Sequence, residues 1–301
     1  MTLRELVEQS ARQLQAAQVA FGHGTDNALD EAAWLVLWQL GLPLDTQIDT
    51  PLDGLQAPAA LTPEQQSVCE ALIAERISTR KPAAYLTHQA WLQGYAFYVD
   101  ERVIVPRSLI AELLVDGGID YFLHEGTRQV LDLCTGNGSL AIIAAHVYPD
   151  TEVCASDLSQ EALDVAAINV RQHQLQVRIQ LLASDGLQSP ALQAQGPYDL
   201  ILCNPPYVNA ESMATLPPEF RAEPPLALDG NADGGSDGMD FVRRLLRDAP
   251  QHLNPQGVLV LEIGHERAFF ESAFPALQAV WLPTSAGEDQ VLLLTREALI
   301  S

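Results

Sequence analysis

Apolar residues recur at helical spacing at the start of the chain and in short strand-like runs further on. Leu3, Leu6, Val7 and Leu14 share one helical face, and Ala33, Leu35, Val36, Leu37 and Leu40 mark a second helix. A third opens at Thr62-Pro63-Glu64-Gln65, where threonine caps, proline takes the first turn and Gln65 completes a capping box. Proline and glycine around residues 41 to 61 mark a connecting loop, so residues 1–90 predict a small helical domain. In the next stretch, residues 91–108, Tyr98, Val99, Val103, Ile104 and Val105 favour strand, with Asp100-Glu101 as a turn. This predicts a β-hairpin linker that delivers Pro106-Arg107-Ser108 to a second domain.

From about residue 128 the pattern alternates. V-L-D-L-C, T-E-V-C-A-S-D, V-R-I-Q-L-L-A, Y-D-L-I-L-C-N and G-V-L-V-L-E-I-G read as strands, and A-V-W-L-P and Q-V-L-L-L-T-R as a closing pair. Helical segments lie between several of them, S-L-A-I-I-A-A-H-V-Y and G-M-D-F-V-R-R-L-L-R-D-A among them. Such alternation predicts an α/β domain over residues 109–301, with a mostly parallel sheet covered on both faces.

Composition narrows the partners. With 39 Asp plus Glu against 16 Lys plus Arg, the formal net charge is -23. Direct nucleic-acid binding is not expected of such a chain, because phosphate affinity rests on Lys and Arg displacing counterions. A basic partner would be attracted instead. Cys69, Cys134, Cys154 and Cys203 sit in apolar patterns without a C-x-x-C pair, which suits reduced core thiols. No histidine spacing suggests a metal site. The start of the chain reads as an amphipathic helix rather than a signal peptide, and no apolar run is long enough to cross a bilayer. The expectation is a soluble, cytoplasmic protein; its oligomeric state is left open.

Two stretches carry chemistry. In L-D-L-C-T-G-N-G-S-L-A, Gly136 and Gly138 let the backbone turn tightly between strand and helix and approach a ligand. Asp157 ends the next strand, where an acid can bond ribose hydroxyls. A nicotinamide-dependent oxidoreductase fits this fingerprint too. Asp132 shifts the balance, since a carboxylate beside the glycine turn would repel a pyrophosphate and suits the sulfonium and ammonium of S-adenosylmethionine. Asp185, after the third strand, is placed to accept the adenine amine.

The second stretch is Asn204-Pro205-Pro206-Tyr207, where a core strand stops. Proline cannot donate a ladder hydrogen bond, so the strand ends near Asn204 at the carboxyl edge, beside the glycine loop. A planar NH2 conjugated to a carbonyl or ring is a poor nucleophile. The Asn204 side-chain oxygen and the Pro205 carbonyl supply two acceptors for its hydrogens, and Tyr207 a surface for stacking.

D-x-x-T-G-x-G, spanning Asp132, Thr135, Gly136 and Gly138, followed by N-P-P-Y, resembles the class I methyltransferases that modify amide or exocyclic amino nitrogens. R-K-P-A-A-Y-L-T, F-Y-V-D-E-R-V-I-V-P-R-S, N-P-P-Y-V and E-F-R-A-E-P-P-L-A-L are similar to the protein-glutamine methyltransferases, and G-G-S-D-G-M-D approximates a further family segment. Pro106-Arg107-Ser108-Leu109-Ile110-Ala111-Glu112 and the variant L-C-T-G resemble the branch acting on the third large-subunit ribosomal protein. The alternatives are a release factor as substrate, and N6-adenine methylation of nucleic acid. His88 stands where the wider family commonly has glycine.

The resemblance implies a helical domain that helps present a protein substrate, a hairpin linker, and a Rossmann-like methyltransferase domain with a seven-stranded sheet. It assigns S-adenosylmethionine to Asp132, Thr135, Gly136, Gly138, Asp157 and Asp185, with Asn204 at the junction. It assigns the glutamine amide to Asn204, Pro205, Pro206 and Tyr207, with Arg107 orienting the hairpin, touching substrate or forming a structural salt bridge.

Overall fold

A computed structural model describes residues 1–48 and 60–300. They form two compact units, Met1–Gln89 with Pro217–Ala222, and Ala90–Leu216 with Glu223–Ser301. Most of the loop read at 41–61 lies outside the described residues.

The first unit packs α1 (Leu3–Ala16), α2 (Ala28–Gln39), α3 (Pro63–Thr79) and α4 (Ala83–Thr87). The capping box at the start of α3 is formed: Gln65 N–H donates to Thr62 Oγ1 at 3.2 Å and Thr62 N–H to Gln65 Oε1 at 2.9 Å. Leu3, Leu6, Val7 and Leu14 are buried, whereas Ala33 and Leu40 are only half-buried. His88 ends α4 with φ 51, a left-handed position that explains why glycine suits this site.

At the centre of this unit lies Arg76, with 0% exposure. Its guanidinium donates to Glu31 Oε1 at 2.8 Å and to the Ala20 carbonyl at 3.0 Å, with Glu219 Oε1 at 3.5 Å. Arg80 reaches the same Glu219 oxygen at 3.0 Å. Burial pushes the Glu31 carboxyl up, against the pull of Arg76. Glu219 thus holds Pro217–Ala222, remote in sequence, within the helical unit.

The second unit opens with a hairpin, β1 (Ala90–Leu92) and β2 (Tyr95–Phe97), in the register Ala90↔Phe97 and Leu92↔Tyr95. This corrects the expected turn at Asp100-Glu101. The chain reverses at Gln93 and Gly94, both at positive φ (50° and 79°), as tight two-residue hairpins require. A turn does form after Asp100, but it joins no strands. The Asp100 carboxylate is occupied by Tyr98 Oη at 2.9 Å and Arg102 Nε at 2.9 Å.

After α5 (Ile110–Val115) the chain alternates through β3 (Gln129–Leu133), α6 (Ser139–Val147), β4 (Glu152–Asp157), α7 (Gln160–Gln172), β5 (Ile179–Ala183), α8 (Pro190–Gln195) and β6 (Tyr198–Cys203). Two short helices follow, α9 (Ala210–Thr215) and α10 (Pro218–Arg221), the latter in the first unit. Next come α11 (Asp240–Asp248), β7 (Leu253–Glu262), α12 (Arg267–Ala273), β8 (Val280–Thr284), β9 (Gly287–Thr295) and α13 (Arg296–Ile300).

The seven-stranded sheet runs β5-β4-β3-β6-β7-β9-β8, parallel except where β9 pairs antiparallel with β7 and β8. Strand residues feed two cores in alternation. Leu200 and Leu202 of β6 join the core under α5 and α6, whereas Ile201 and Cys203 join the one under α11. The direction of winding reverses between β3 and β6, and ligands of open α/β sheets bind at such a switch. All four cysteines are free. Among the described residues, no helix is long and apolar enough to cross a membrane.

Truncating Arg76 removes one partner of a buried charge network, so Arg76→Ala is expected to destabilise the first unit by about 3–5 kcal/mol. Hydrogen exchange in α1–α3 and denaturant unfolding measure this, and unchanged protection in those helices would contradict the assignment.

Candidate active site

The carboxyl ends of β3, β4 and β6 converge on one cavity of about 390 Å³, within the range of small-molecule sites. In the β3–β6 pairing Leu133 lies opposite Cys203, so Cys134 and Asn204 leave the sheet side by side. Gly136, Asp157, Asp185, Asn204 and Pro206 all line the cavity. Two segments the sequence predicted separately therefore meet.

The glycine loop is organised by two carboxylates. Asp132, 1% exposed, accepts from Thr135 Oγ1 at 2.5 Å and from Ala141 N–H at 2.9 Å. Its other oxygen is buried without a partner among the described residues, and burial raises its pKa to about 7. Asp132, Thr135 and Gly138 do not line the cavity. Through one oxygen Asp132 braces the loop and the first turn of α6. Gly138 caps α6 at φ 84, and a Cβ there would sit 3.2 Å from Ala166 Cβ, which keeps the loop close to α7.

Asp157 accepts from Gly136 N–H with Oδ2 and from Ser159 N–H with Oδ1, each at 2.9 Å. Each oxygen keeps a further lone pair for a ligand hydroxyl. Burial pushes this carboxyl up, against the backbone N–H groups that hold it down. Leu158, 55% exposed, offers an apolar surface beside it. Asp185 lies 3.8 Å from Arg244, whose guanidinium stands over the Phe241 ring. A carboxylate with spare lone pairs, an apolar flank and a loop with exposed backbone fit an adenosyl group. No group of three or more His, Cys, Asp or Glu among the described residues could hold a metal.

Arg107 points to structure rather than to the cavity. It forms a bidentate pair with Glu223, at 2.6 Å and 2.7 Å, and the same carboxylate accepts Val105 N–H at 2.9 Å. Of the roles expected for Arg107, the structural salt bridge is formed, with Nη1 and Nη2 both on Glu223. Pro205, buried, and Tyr207, half-buried, flank the lining residues Asn204 and Pro206. Burial, with the Glu262 carboxylate nearby, pushes the Tyr207 phenol up, so the ring stays neutral and is not a base.

Three supporting residues escaped the sequence reading. Glu262, at the end of β7, accepts from Ser108 Oγ at 2.5 Å and Leu109 N–H at 2.9 Å, and burial raises its pKa to about 7. Asn209 donates to Glu266 Oε1 at 2.8 Å. Asn169, 0% exposed, joins the Tyr98 backbone to the Asn137 carbonyl. A polar residue on the apolar face of a helix was the one available signal for Asn169.

The family model described as Methyltransferase small domain matches residues 113–220. The protein named Ribosomal protein uL3 glutamine methyltransferase from Bordetella pertussis is 53% identical over 99% of this chain and 96% of its own length. Its namesake from Burkholderia pseudomallei is 51% identical over 97% of this chain and 94% of its own length. In structure, the hMettl16 catalytic domain matches with TM-score 0.50 at 13% identity, covering 79% of this chain and 83% of that one, a likeness of fold.

Because the Glu262 pKa is raised, its contribution to stability is fully present below about pH 4 and is lost as pH rises through about 7. Glu262→Gln removes this titration. Between pH 5 and 8 the variant is expected to gain stability relative to the native protein, by about 2 kcal/mol. Denaturant unfolding checks this, and a difference independent of pH would contradict it.

Proposed function

This chain belongs to the ribosomal protein uL3 glutamine methyltransferases, and from that premise we propose how its residues act and what they act on. The enzyme transfers a methyl group from S-adenosylmethionine to the side-chain amide nitrogen of a protein glutamine. Bound S-adenosylmethionine supplies a methyl carbon activated by its sulfonium charge.

The chemical difficulty lies with the amide, whose nitrogen lone pair is delocalised into its carbonyl. The Asn204 side-chain oxygen and the Pro205 carbonyl accept its two hydrogens, which orients the nitrogen and favours the positive charge that develops on it. Tyr207 stacks on the amide plane and the two prolines hold the carbonyl direction. No base is needed before attack, because the proton leaves after the carbon–nitrogen bond forms, to water. On the cofactor side, Asp157 takes the ribose hydroxyls, Asp185 the adenine amine and the Gly136 loop the remaining contacts. Asp132 and Thr135 position that loop. The observation that carries this reading is the juxtaposition of Asn204 with Gly136 and Asp157 in one cavity.

The substrate is a basic ribosomal protein, uL3, drawn to a chain of net charge -23. The reaction belongs in the cytoplasm, where ribosomal proteins are made, and the helical unit helps to present the substrate.

Asn204→Ala is expected to lose methyl transfer by about 10²–10³-fold with cofactor affinity unchanged, measured with labelled S-adenosylmethionine, purified uL3 and calorimetry. Normal turnover by that variant would sink the amide clamp. Asp157→Ala is expected to weaken cofactor binding by about 1–3 kcal/mol. Added salt is expected to weaken uL3 binding, and an affinity indifferent to ionic strength would remove the electrostatic part.

A further inference from the structure

Tyr207 is held by a residue outside the cavity. Gly264, two residues past the end of β7, is buried and has φ +53. A Cβ there would lie 2.7 Å from Tyr207 Cε2, closer than side-chain carbons come, and 3.0 Å from both Cζ and Oη, a tight contact. The ring therefore rests against the Gly264 backbone. The residue before Gly264 is held at both ends: Ile263 N–H donates to the Gln290 carbonyl at 2.9 Å, and the Ile263 carbonyl accepts from Glu266 N–H at 3.1 Å.

The main chain of the same residue is backed from another side. A Cβ on Gly238 would meet the Tyr207 carbonyl oxygen at 2.1 Å. Beyond it, Val208 N–H donates to the Leu228 carbonyl at 2.9 Å, and Asn231 Nδ2 to the Val208 carbonyl at 3.1 Å. With its backbone fixed in this way, the ring cannot escape an intruding methyl group by a shift of the whole segment. It must turn.

We propose that Gly264 is a positioning residue for methyl transfer: the missing side chain at the end of β7 lets the Tyr207 ring seat there and sets its angle to the bound amide. The proposal rests on the reading of Asn204 to Tyr207 as the amide site. It adds a determinant that touches neither cofactor nor substrate and acts through one ring.

The test is a double-mutant cycle of Gly264→Ala and Tyr207→Ala, read as kcat and KM for uL3 methylation with cofactor affinity by calorimetry. Gly264→Ala is expected to lower kcat/KM by about tenfold or more while cofactor affinity stays within twofold. In the Tyr207→Ala background the same substitution is expected to add no further loss. Native turnover by Gly264→Ala, or losses that multiply in the double variant, would overturn the proposal. Should Gly264→Ala fail to fold, the double variant decides: it folds like Tyr207→Ala if the ring is the constraint, and fails if the left-handed backbone alone is. Should Tyr207→Ala itself turn over normally, the reading of the amide site falls instead.

Discussion

Strand β6 stops because Pro205 and Pro206 have no N–H to offer. Much of the site depends on that constraint. The strand lies at the middle of the sheet, flanked by β3 and β7, where continued pairing would otherwise be the default. Ending it at Cys203 leaves Asn204 at the switch point, next to the loop from β3. A longer strand would commit those backbone groups to the ladder and leave no acceptor for a ligand.

The loops around that edge are irregular, so their backbone groups need partners other than a ladder. Buried carboxylates supply many of them. Asp132 ties Thr135 to the start of α6, Asp157 ties the glycine loop to β4, and Glu262 ties the Ser108 turn to the end of β7. Glu223 does the same for Arg107 and Val105. The raised pKa values of Asp132 and Glu262 record what this arrangement costs in desolvation. Rigid support of this kind is what an amide nitrogen demands, since its weak nucleophilicity leaves positioning to do much of the catalysis.

Local chemistry made the elements legible. The box at Thr62 and Gln65, the buried run of β6 and the stop at its prolines all follow from neighbours in sequence. The two motifs that bring Gly136 and Asn204 to one cavity were legible for the same reason. The hairpin turn was not, because Tyr98 to Val105 carry strand propensity yet spend it on contacts through Asp100 and Glu223. Partners far apart in sequence stayed hidden: Arg107 with Glu223, Ser108 with Glu262, Asn169 with Tyr98. The bracing bonds of Asp132 were not legible, because its type and position fit a ligand as well as a brace. Geometry alone separates the two.

A positioned amide and a bound methyl donor give one product, a uL3 methylated at one glutamine amide. Mass spectrometry of large-subunit ribosomal proteins, from cells with and without this enzyme, tests it most directly. Without the enzyme, uL3 is expected to lose the mass of one methyl group, mapped to a single glutamine, and the added enzyme to restore it. A uL3 that keeps its methyl group in the deleted cells, with the loss appearing elsewhere or nowhere, would contradict it.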